Sequence, residues 1–213
     1  MVTFDESLHV IENNLRLTSL IGAKTSDKQM NLQLSPSADA RAREILLPFA
    51  SKKYMIGFQL GANFVGKLWR IEYFSRLGRN LVMERNAGLV VIGGLAEKNV
   101  VKKFCHEFGM DALAILSDLE TVSAVIKRLD VFVTPDTGPM HIAFAMGCPT
   151  VSLFGPTNPL NFGPLTHSEN CVVLHKSILD RPSIKIHDDP EDRMGKISVA
   201  EVESAIIRLL KFS

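Results

Sequence analysis

Short apolar segments alternate with longer amphipathic segments between residues 54 and 154, and this alternation restricts the possible folds more than any other feature of the sequence. Two of the apolar segments, at residues 89–92 and 131–133, are unbroken runs of large hydrophobic side chains. Such runs are typical of parallel strands whose two faces are both covered by helices. The sequence therefore predicts an α/β fold with a doubly wound parallel sheet.

The expected strands and helices follow from hydrophobic periodicity and from capping residues. Ser35 and Pro36 predict a helix start, and Ser198 with Glu201 forms a capping box ahead of an apolar stripe that ends at Leu210. We expect strands over residues 31–34, 54–60, 89–93, 112–116, 131–134 and 150–154. We expect helices over residues 7–20, 37–49, 70–85, 96–108, 120–128 and 139–146, and a last helix from Ser198.

The overall composition argues against several classes of protein. The 213 residues include 24 Lys and Arg against 23 Asp and Glu, so the net charge of +1 gives no reason to expect nucleic acid or an anionic membrane surface as a partner. No apolar run of about 18 residues is present, and the first ten residues lack the basic and apolar regions of a signal peptide, so we expect a cytoplasmic protein. The three cysteines lack CxxC spacing, which argues against a structural zinc site.

The loops that follow the strands are the candidate sites, because ligands of doubly wound sheets bind at the carboxyl ends of the strands. The first loop, residues 61–67, carries two glycines and Lys67 at the spacing of a P-loop, but Leu68 replaces the Ser or Thr that would bind magnesium. A true P-loop is therefore disfavoured. Two interpretations stay open: a glycine loop that lets an anion approach beside the charge of Lys67, or an ordinary turn with a solvated lysine.

The second loop, residues 93–97, has two glycines followed by Glu97. A carboxylate just beyond the end of a strand can accept both hydrogens of a ribose diol. The alternative is a glutamate that stabilises the first turn of the next helix through the helix dipole. This loop taken by itself leaves both interpretations open.

The third loop combines an acid, a helix start and a histidine. Asp136 ends an apolar strand, and Thr137 and Gly138 precede a helix whose first turn contains Pro139 and His141. The first N–H groups of a helix have no partner within the helix, so those of Thr137 and Gly138 are free to bind an anion. We predict an anion site here, with Asp136 and His141 beside it.

The third loop opens a segment that resembles the signature of the family 9 glycosyltransferases, which include the bacterial lipopolysaccharide heptosyltransferases. The segment runs from Asp136 to Leu165 and reads DTGPMHIAFAMGCPTVSLFGPTNPLNFGPL. The first loop and its continuation, GANFVGKLWR, are similar to a Gly-Ala-Ser segment of the family that is followed by Lys and Trp. The resemblance covers residues 54–210, and residues 9–17 look like the inter-domain helix of the family. It implies a Rossmann-like domain that is the C-terminal half of a GT-B type glycosyltransferase.

The resemblance implies that this half binds a nucleotide-sugar donor, with ADP-heptose favoured. Lys67 would contact the phosphates, with Ala62 and Asn63 beside it in the loop. Glu97 would bind the ribose hydroxyls, and Ser117 would lie by the base.

The third loop would bind the other end of the donor. Asp136 would contact the sugar, while Thr137, Gly138 and His141 would bind the diphosphate. The family needs no metal and no cofactor, in agreement with the absence of an Asp-x-Asp triplet; the pair Asp188-Asp189 is followed by a proline.

Full-length members of the family also carry an N-terminal domain that binds the acceptor and contributes an acidic general base. We expect residues 1–34 to be the inter-domain helix and linker at the trailing end of that domain, and residues 35–213 to be the donor-binding domain. The complete enzyme would transfer the sugar, with inversion and without metal, to a lipopolysaccharide-core acceptor, and its base would lie outside this chain. The alternative is a non-catalytic module or degenerate homologue that binds nucleotide-sugars. A homodimer, and peripheral association of the complete enzyme with the inner membrane, stay open.

Overall fold

A computed structural model describes residues 3–165, 168–176 and 192–211 of the chain. Its described residues form one parallel sheet with strands β1 (Tyr54–Gln59), β2 (Ala87–Ile92), β3 (Ala112–Ile115), β4 (Val131–Pro135), β5 (Thr150–Phe154) and β6 (Cys171–His175). The spatial order is β3-β2-β1-β4-β5-β6. This is the order of a Rossmann-like doubly wound sheet, so the predicted fold class is confirmed.

The strand order reverses direction at the centre of the sheet, between β1 and β4. From β1 the chain adds β2 and β3 on one side, whereas β4, β5 and β6 follow on the other. Phe58 of β1 lies opposite Val91 of β2 and opposite Val133 of β4, so β1 is paired along both edges. Connections leave β1 and β4 toward opposite sides, and a crevice forms at their carboxyl ends.

Helices cover both faces of the sheet. They are α1 (Val10–Ser19), α2 (Pro36–Leu46), α3 (Ile71–Arg85), α4 (Lys98–Phe108), α5 (Leu119–Ile126), α6 (Gly138–Met146), α7 (Pro159–Phe162) and α8 (Val199–Leu210). On one face, α3, α4 and α8 bury a cluster that includes Phe58, Trp69 and Phe74. On the other, α2 and α5 pack over Val90 and Phe132. The two clusters hold the strands in place, so the loops at the carboxyl end of the sheet start from rigid positions.

Helix α8 begins at the predicted capping box. The Glu201 backbone N–H donates to Ser198 Oγ (3.3 Å), and the Ser198 backbone N–H donates to Glu201 Oε2 (2.9 Å). Val202 and Ile206 are fully buried in the cluster that contains α3. The apolar stripe of this helix therefore packs on its own domain.

Helix α1 is attached to the segment that contains α7 through polar side chains. Asn161 Nδ2 donates to the backbone oxygens of Glu6 (2.7 Å) and Leu8 (2.9 Å). The Ile11 N–H donates to His9 Nδ1 (3.2 Å), so the His9 ring donates from Nε2 to the Gly163 carbonyl (3.0 Å). The predicted N-terminal helix is confirmed, with a later start than expected.

One expectation about secondary structure is wrong, and one strand was not predicted. Residues 31–34 form no strand: Leu34 packs on the α2–α5 cluster and the Ser35 N–H donates to Glu120 Oε1 (2.8 Å), so this segment lies over helices rather than along the sheet. Strand β6 was not expected. Asp188-Asp189 lies outside the described residues. Within the described ranges, no helix has the length and apolarity needed to cross a bilayer.

Candidate donor site

A pocket of about 790 Å³ lies above the carboxyl ends of β1, β2 and β4, at the crevice where the strand order reverses. Small-molecule sites typically enclose about 300–1,000 Å³, so the pocket has the volume of such a site. Its walls come from the loops after β1, β2, β3 and β4. Among the lining residues are six of the nine predicted site residues: Ala62, Asn63, Glu97, Ser117, Thr137 and Gly138.

The other three predicted residues, Lys67, Asp136 and His141, lie beside this pocket. Lys67 Nζ is 2.7 Å from Asp136 Oδ2 and donates a second hydrogen bond to the Asp136 backbone oxygen (3.2 Å). The two side chains are 16% and 6% exposed. The interpretation of Lys67 as a solvated lysine is therefore wrong: it is a nearly buried cation that joins the first loop to the third.

The loop that carries Lys67 is held in place by its neighbours. Residues Val65–Lys67 form a single 3-10 turn in which the Lys67 N–H donates to the Phe64 carbonyl (3.0 Å). Trp69 is buried, and its indole N–H donates to the Ile197 carbonyl (2.9 Å). The Lys67 ammonium also lies 5.8 Å from the centroid of the Phe64 ring, within the range of a cation–π contact.

Glu97 reaches back over the first loop. Its Oε2 accepts from the Gly94 N–H (2.6 Å), and its Oε1 accepts from Gln59 Nε2 (3.0 Å). A methyl group on Gly61 would overlap Glu97 Oε1, so glycine at this position makes room for the carboxylate. Gly61 thus lets an anion approach the first loop, as expected, but this anion is the Glu97 carboxylate of the second loop.

The start of α6 faces the same pocket. Thr137 is the N-cap residue, but its hydroxyl is 3.3 Å from the Pro135 carbonyl and does not cap the first turn. Gly138 and Pro139 line the pocket. A helix N-terminus carries a partial positive charge and favours an anion at this end.

His141 lies in the first turn of α6 and is half-buried. Burial lowers the pKa of its imidazole, and the Asp136 carboxylate opposes that effect. His9 and Lys67 lie close enough to lower the pKa further. The ring packs edge-on against Phe144 at 6.0 Å. At neutral pH His141 is therefore a neutral hydrogen-bonding group rather than a cation.

Ser117 lies at the rim of the pocket, next to the N-cap of α5. Its hydroxyl donates to Asp118 Oδ2 (3.2 Å), and Asp118 also accepts from the Thr121 N–H (2.9 Å) and hydroxyl (2.8 Å). The hydrogen bonds from Thr121 lower the pKa of Asp118 to about 2. No cluster of three or more His, Cys, Asp or Glu side chains suited to a metal occurs within residues 3–165, 168–176 and 192–211.

Gln59 is a lining residue that the sequence patterns did not single out. It ends β1, inside a segment that the pattern predicts as a buried strand. A polar side chain at the carboxyl end of a central strand is a usable signal, because that end of the sheet is where ligands bind.

A known protein family matches most of the chain, including all three loops of this site. The family model described as glycosyltransferase family 9 (heptosyltransferase) matches residues 2–186. The chain belongs to this family. Family 9 membership confirms the resemblance that was drawn from the third loop.

Two curated relatives show how much of a family 9 protein the chain represents. It is 25% identical over 175 residues to the lipopolysaccharide core heptosyltransferase OpsX of Haemophilus influenzae. The aligned region covers 80% of this chain and 49% of OpsX. It is 26% identical over 211 residues to lipopolysaccharide heptosyltransferase 3 of Escherichia coli. This alignment covers 96% of the chain and 61% of the relative. The chain thus spans about half to three fifths of the length of these relatives.

Solved structures share the fold. A family 9 glycosyl transferase from Veillonella parvula matches with a TM-score of 0.84 at 22% identity, over 99% of this chain and 62% of that one. The E. coli heptosyltransferase WaaC with ADP matches with a TM-score of 0.65 at 18% identity. This match covers 98% of the chain and 58% of WaaC. At these identities the matches establish the fold alone, a Rossmann-like fold of the kind found in GT-B type glycosyltransferases.

Proposed function

We propose that this chain is the donor-binding half of a heptosyltransferase and that its pocket binds a nucleotide-sugar, with ADP-heptose favoured. The observation that carries the proposal is the pocket at the strand reversal, where the loops containing Lys67, Glu97 and Asp136 converge. Family 9 membership supports it, and so does the likeness in fold to the E. coli heptosyltransferase WaaC, which was solved with ADP.

Each group has a proposed contact. Lys67 and the N-terminus of α6 bind the diphosphate, with His141 as a neutral hydrogen-bonding neighbour. Glu97 binds the ribose hydroxyls beside Ala62 and Asn63, and Ser117 lies near the base. Asp136 holds Lys67 before the donor arrives and contacts the sugar afterwards.

In the proposed reaction an acceptor hydroxyl of the lipopolysaccharide core attacks the anomeric carbon, and the bond from that carbon to the diphosphate oxygen breaks. Negative charge develops on the leaving diphosphate, where Lys67 and the α6 N-terminus stabilise it without a metal. The acceptor proton needs a carboxylate base. Glu97 accepts two hydrogen bonds and Asp136 is paired with Lys67, so we assign the base to the acceptor-binding domain of the complete enzyme. Residues 1–34 are then the connection to that domain, and residues 35–213 the donor domain.

Thermal unfolding in the presence of ADP, UDP and GDP tests donor binding. A ligand that binds the native state stabilises it by RT ln(1 + [L]/Kd), about 2.7 kcal/mol at a hundredfold excess over Kd. We expect ADP to raise Tm most, and adenosine, which lacks the diphosphate, to raise it little. The proposal fails if no nucleoside diphosphate raises Tm at millimolar concentration.

A further inference from the structure

The amide of Gln59 has a fixed orientation at the floor of the pocket. Gln59 is 2% exposed, and its Nε2 lies 3.0 Å from Glu97 Oε1 and 3.4 Å from the Gly61 carbonyl oxygen. Both neighbours are acceptors, so the nitrogen of the amide must face them and the oxygen must face away. Gln59 therefore donates to the carboxylate of Glu97.

The other end of the amide is unsatisfied. Gln59 Oε1 is buried and has no hydrogen-bond donor among the residues that the structure describes. An unpaired buried carbonyl oxygen destabilises the folded state, and an apolar side chain of the same length would avoid this cost. The unpaired oxygen offsets the stabilisation that the hydrogen bond to Glu97 provides, so the position of the Glu97 carboxylate, rather than net stability, accounts for a glutamine at the end of β1.

We propose that Gln59 is a positioning residue for ribose recognition, acting through Glu97; this inference rests on the proposed function. The Gly94 N–H holds one carboxylate oxygen of Glu97 at 2.6 Å, and Gln59 holds the other. A carboxylate has about four acceptor positions, so two remain for the hydroxyls of a ribose diol. Because both carboxylate oxygens accept hydrogen bonds, the orientation of the Glu97 carboxylate is fixed before the nucleotide binds. The Glu97 side chain therefore loses less conformational entropy on binding.

The test is calorimetric titration of ADP and 2′-deoxy-ADP into the parent chain and into Gln59→Met, which keeps the length of the side chain and removes the amide. We expect Gln59→Met to bind ADP about three- to tenfold more weakly, the loss of one hydrogen bond. Binding of 2′-deoxy-ADP should change less, so the preference for ADP over 2′-deoxy-ADP should fall. The Tm of the variant should equal or exceed that of the parent.

Two controls separate the possible explanations. Gln33→Leu removes an exposed glutamine and should leave both affinities unchanged. Gln59→Glu keeps the shape but places a second carboxylate against Glu97, and should weaken ADP binding more than Gln59→Met does. The inference is overturned if Gln59→Met keeps the parent's preference for ADP over 2′-deoxy-ADP. Equal weakening of the binding of both ligands together with a lower Tm would be the behaviour of a purely structural residue. If the parent itself binds no ADP, it is the proposed function that fails.

Discussion

Lys67 and Asp136 are 69 residues apart in the sequence, yet the Lys67 ammonium lies 2.7 Å from the Asp136 carboxylate, beside the pocket. The pair is nearly buried, so neither charge is well solvated. Each side chain neutralises the charge of the other. A diphosphate that binds Lys67 therefore replaces or shares an existing ion-pair partner rather than meeting an unpaired cation.

Breaking this pair should destabilise the fold, and removing both charges should restore it. Lys67→Met leaves the Asp136 carboxylate buried without its cation, and we expect a loss of about 1–3 kcal/mol in the free energy of unfolding at pH 7. Adding Asp136→Asn removes the unpaired charge and should recover most of that loss. Urea unfolding of the two single variants and the double variant measures the coupling. If the double variant loses as much free energy of unfolding as the two single variants together, the ion pair does not stabilise the fold as described.

Gly61→Ala should impair nucleotide binding through Glu97. The added methyl group would overlap Glu97 Oε1, so the carboxylate must move away from its position over the first loop. We expect ADP affinity to fall about tenfold, equivalent to about 1.4 kcal/mol. Gly94→Ala is the matched control, because its methyl group would lie at an ordinary 3.6 Å from Glu97 Oε2. Equal ADP affinity of the two variants, measured by calorimetry, would contradict the assigned role of Glu97.

Stability should fall as the pH decreases below the pKa of an unfolded histidine. Burial lowers the pKa of His141, and burial also lowers that of His175. Between about pH 6.5, the unfolded value, and the lower folded values, the unfolded chain binds more protons, so acidification favours unfolding. Above about pH 7.5 both states are neutral at these positions and no such dependence remains.

The variant His141→Gln should reduce the decrease in Tm between pH 7.5 and pH 5.5 without abolishing it, because His175 still titrates. The measurement is thermal unfolding across this pH range in buffers of constant ionic strength. A variant whose Tm changes with pH as steeply as that of the parent would show that His141 is not the group responsible.

Helix α1 should detach from the segment that contains α7 when residue 161 can no longer donate hydrogen bonds. The Asn161 amide donates to two backbone oxygens that lie just before α1, and the carboxylate of Asn161→Asp would repel both. We expect faster hydrogen–deuterium exchange in residues 10–19, with little change in the strands. Asn170→Asp, at an exposed position, is the control. Unchanged exchange in α1 would mean that contacts other than those of Asn161, such as the hydrogen bond from His9 to Gly163, hold the helix.

Much of the fold could be predicted because its strands are short and apolar and alternate with amphipathic helices. The five strands β1 to β5 lie where the pattern placed them, and the capping box at Ser198 starts α8 as expected. The prediction for residues 31–34 is wrong because an apolar, extended segment can also cover helices. Strand β6 was not predicted, although residues 171–174 are an apolar run that follows the polar turn Ser168–Asn170.

The site was predictable loop by loop but not in its internal contacts. The topology brings the carboxyl ends of neighbouring strands together, so six of the predicted residues line one pocket. The pairing of Lys67 with Asp136, and the position of Glu97 over Gly61, depend on loop conformations and side-chain reach. Periodicity and residue spacing carry no information about either contact.

An NMR titration of ADP into the ¹⁵N-labelled chain tests the donor site most directly, because it locates the ligand without assuming its effect on stability. We expect the largest amide shifts to fall together in residues 61–67, 93–97 and 137–141, around the pocket between β1 and β4. The groove between β6 and α8, lined by Val172, Leu174 and Arg208, should shift little. Shifts confined to that groove, or an absence of shifts at millimolar ADP, would contradict the central claim that the strand reversal holds the donor site.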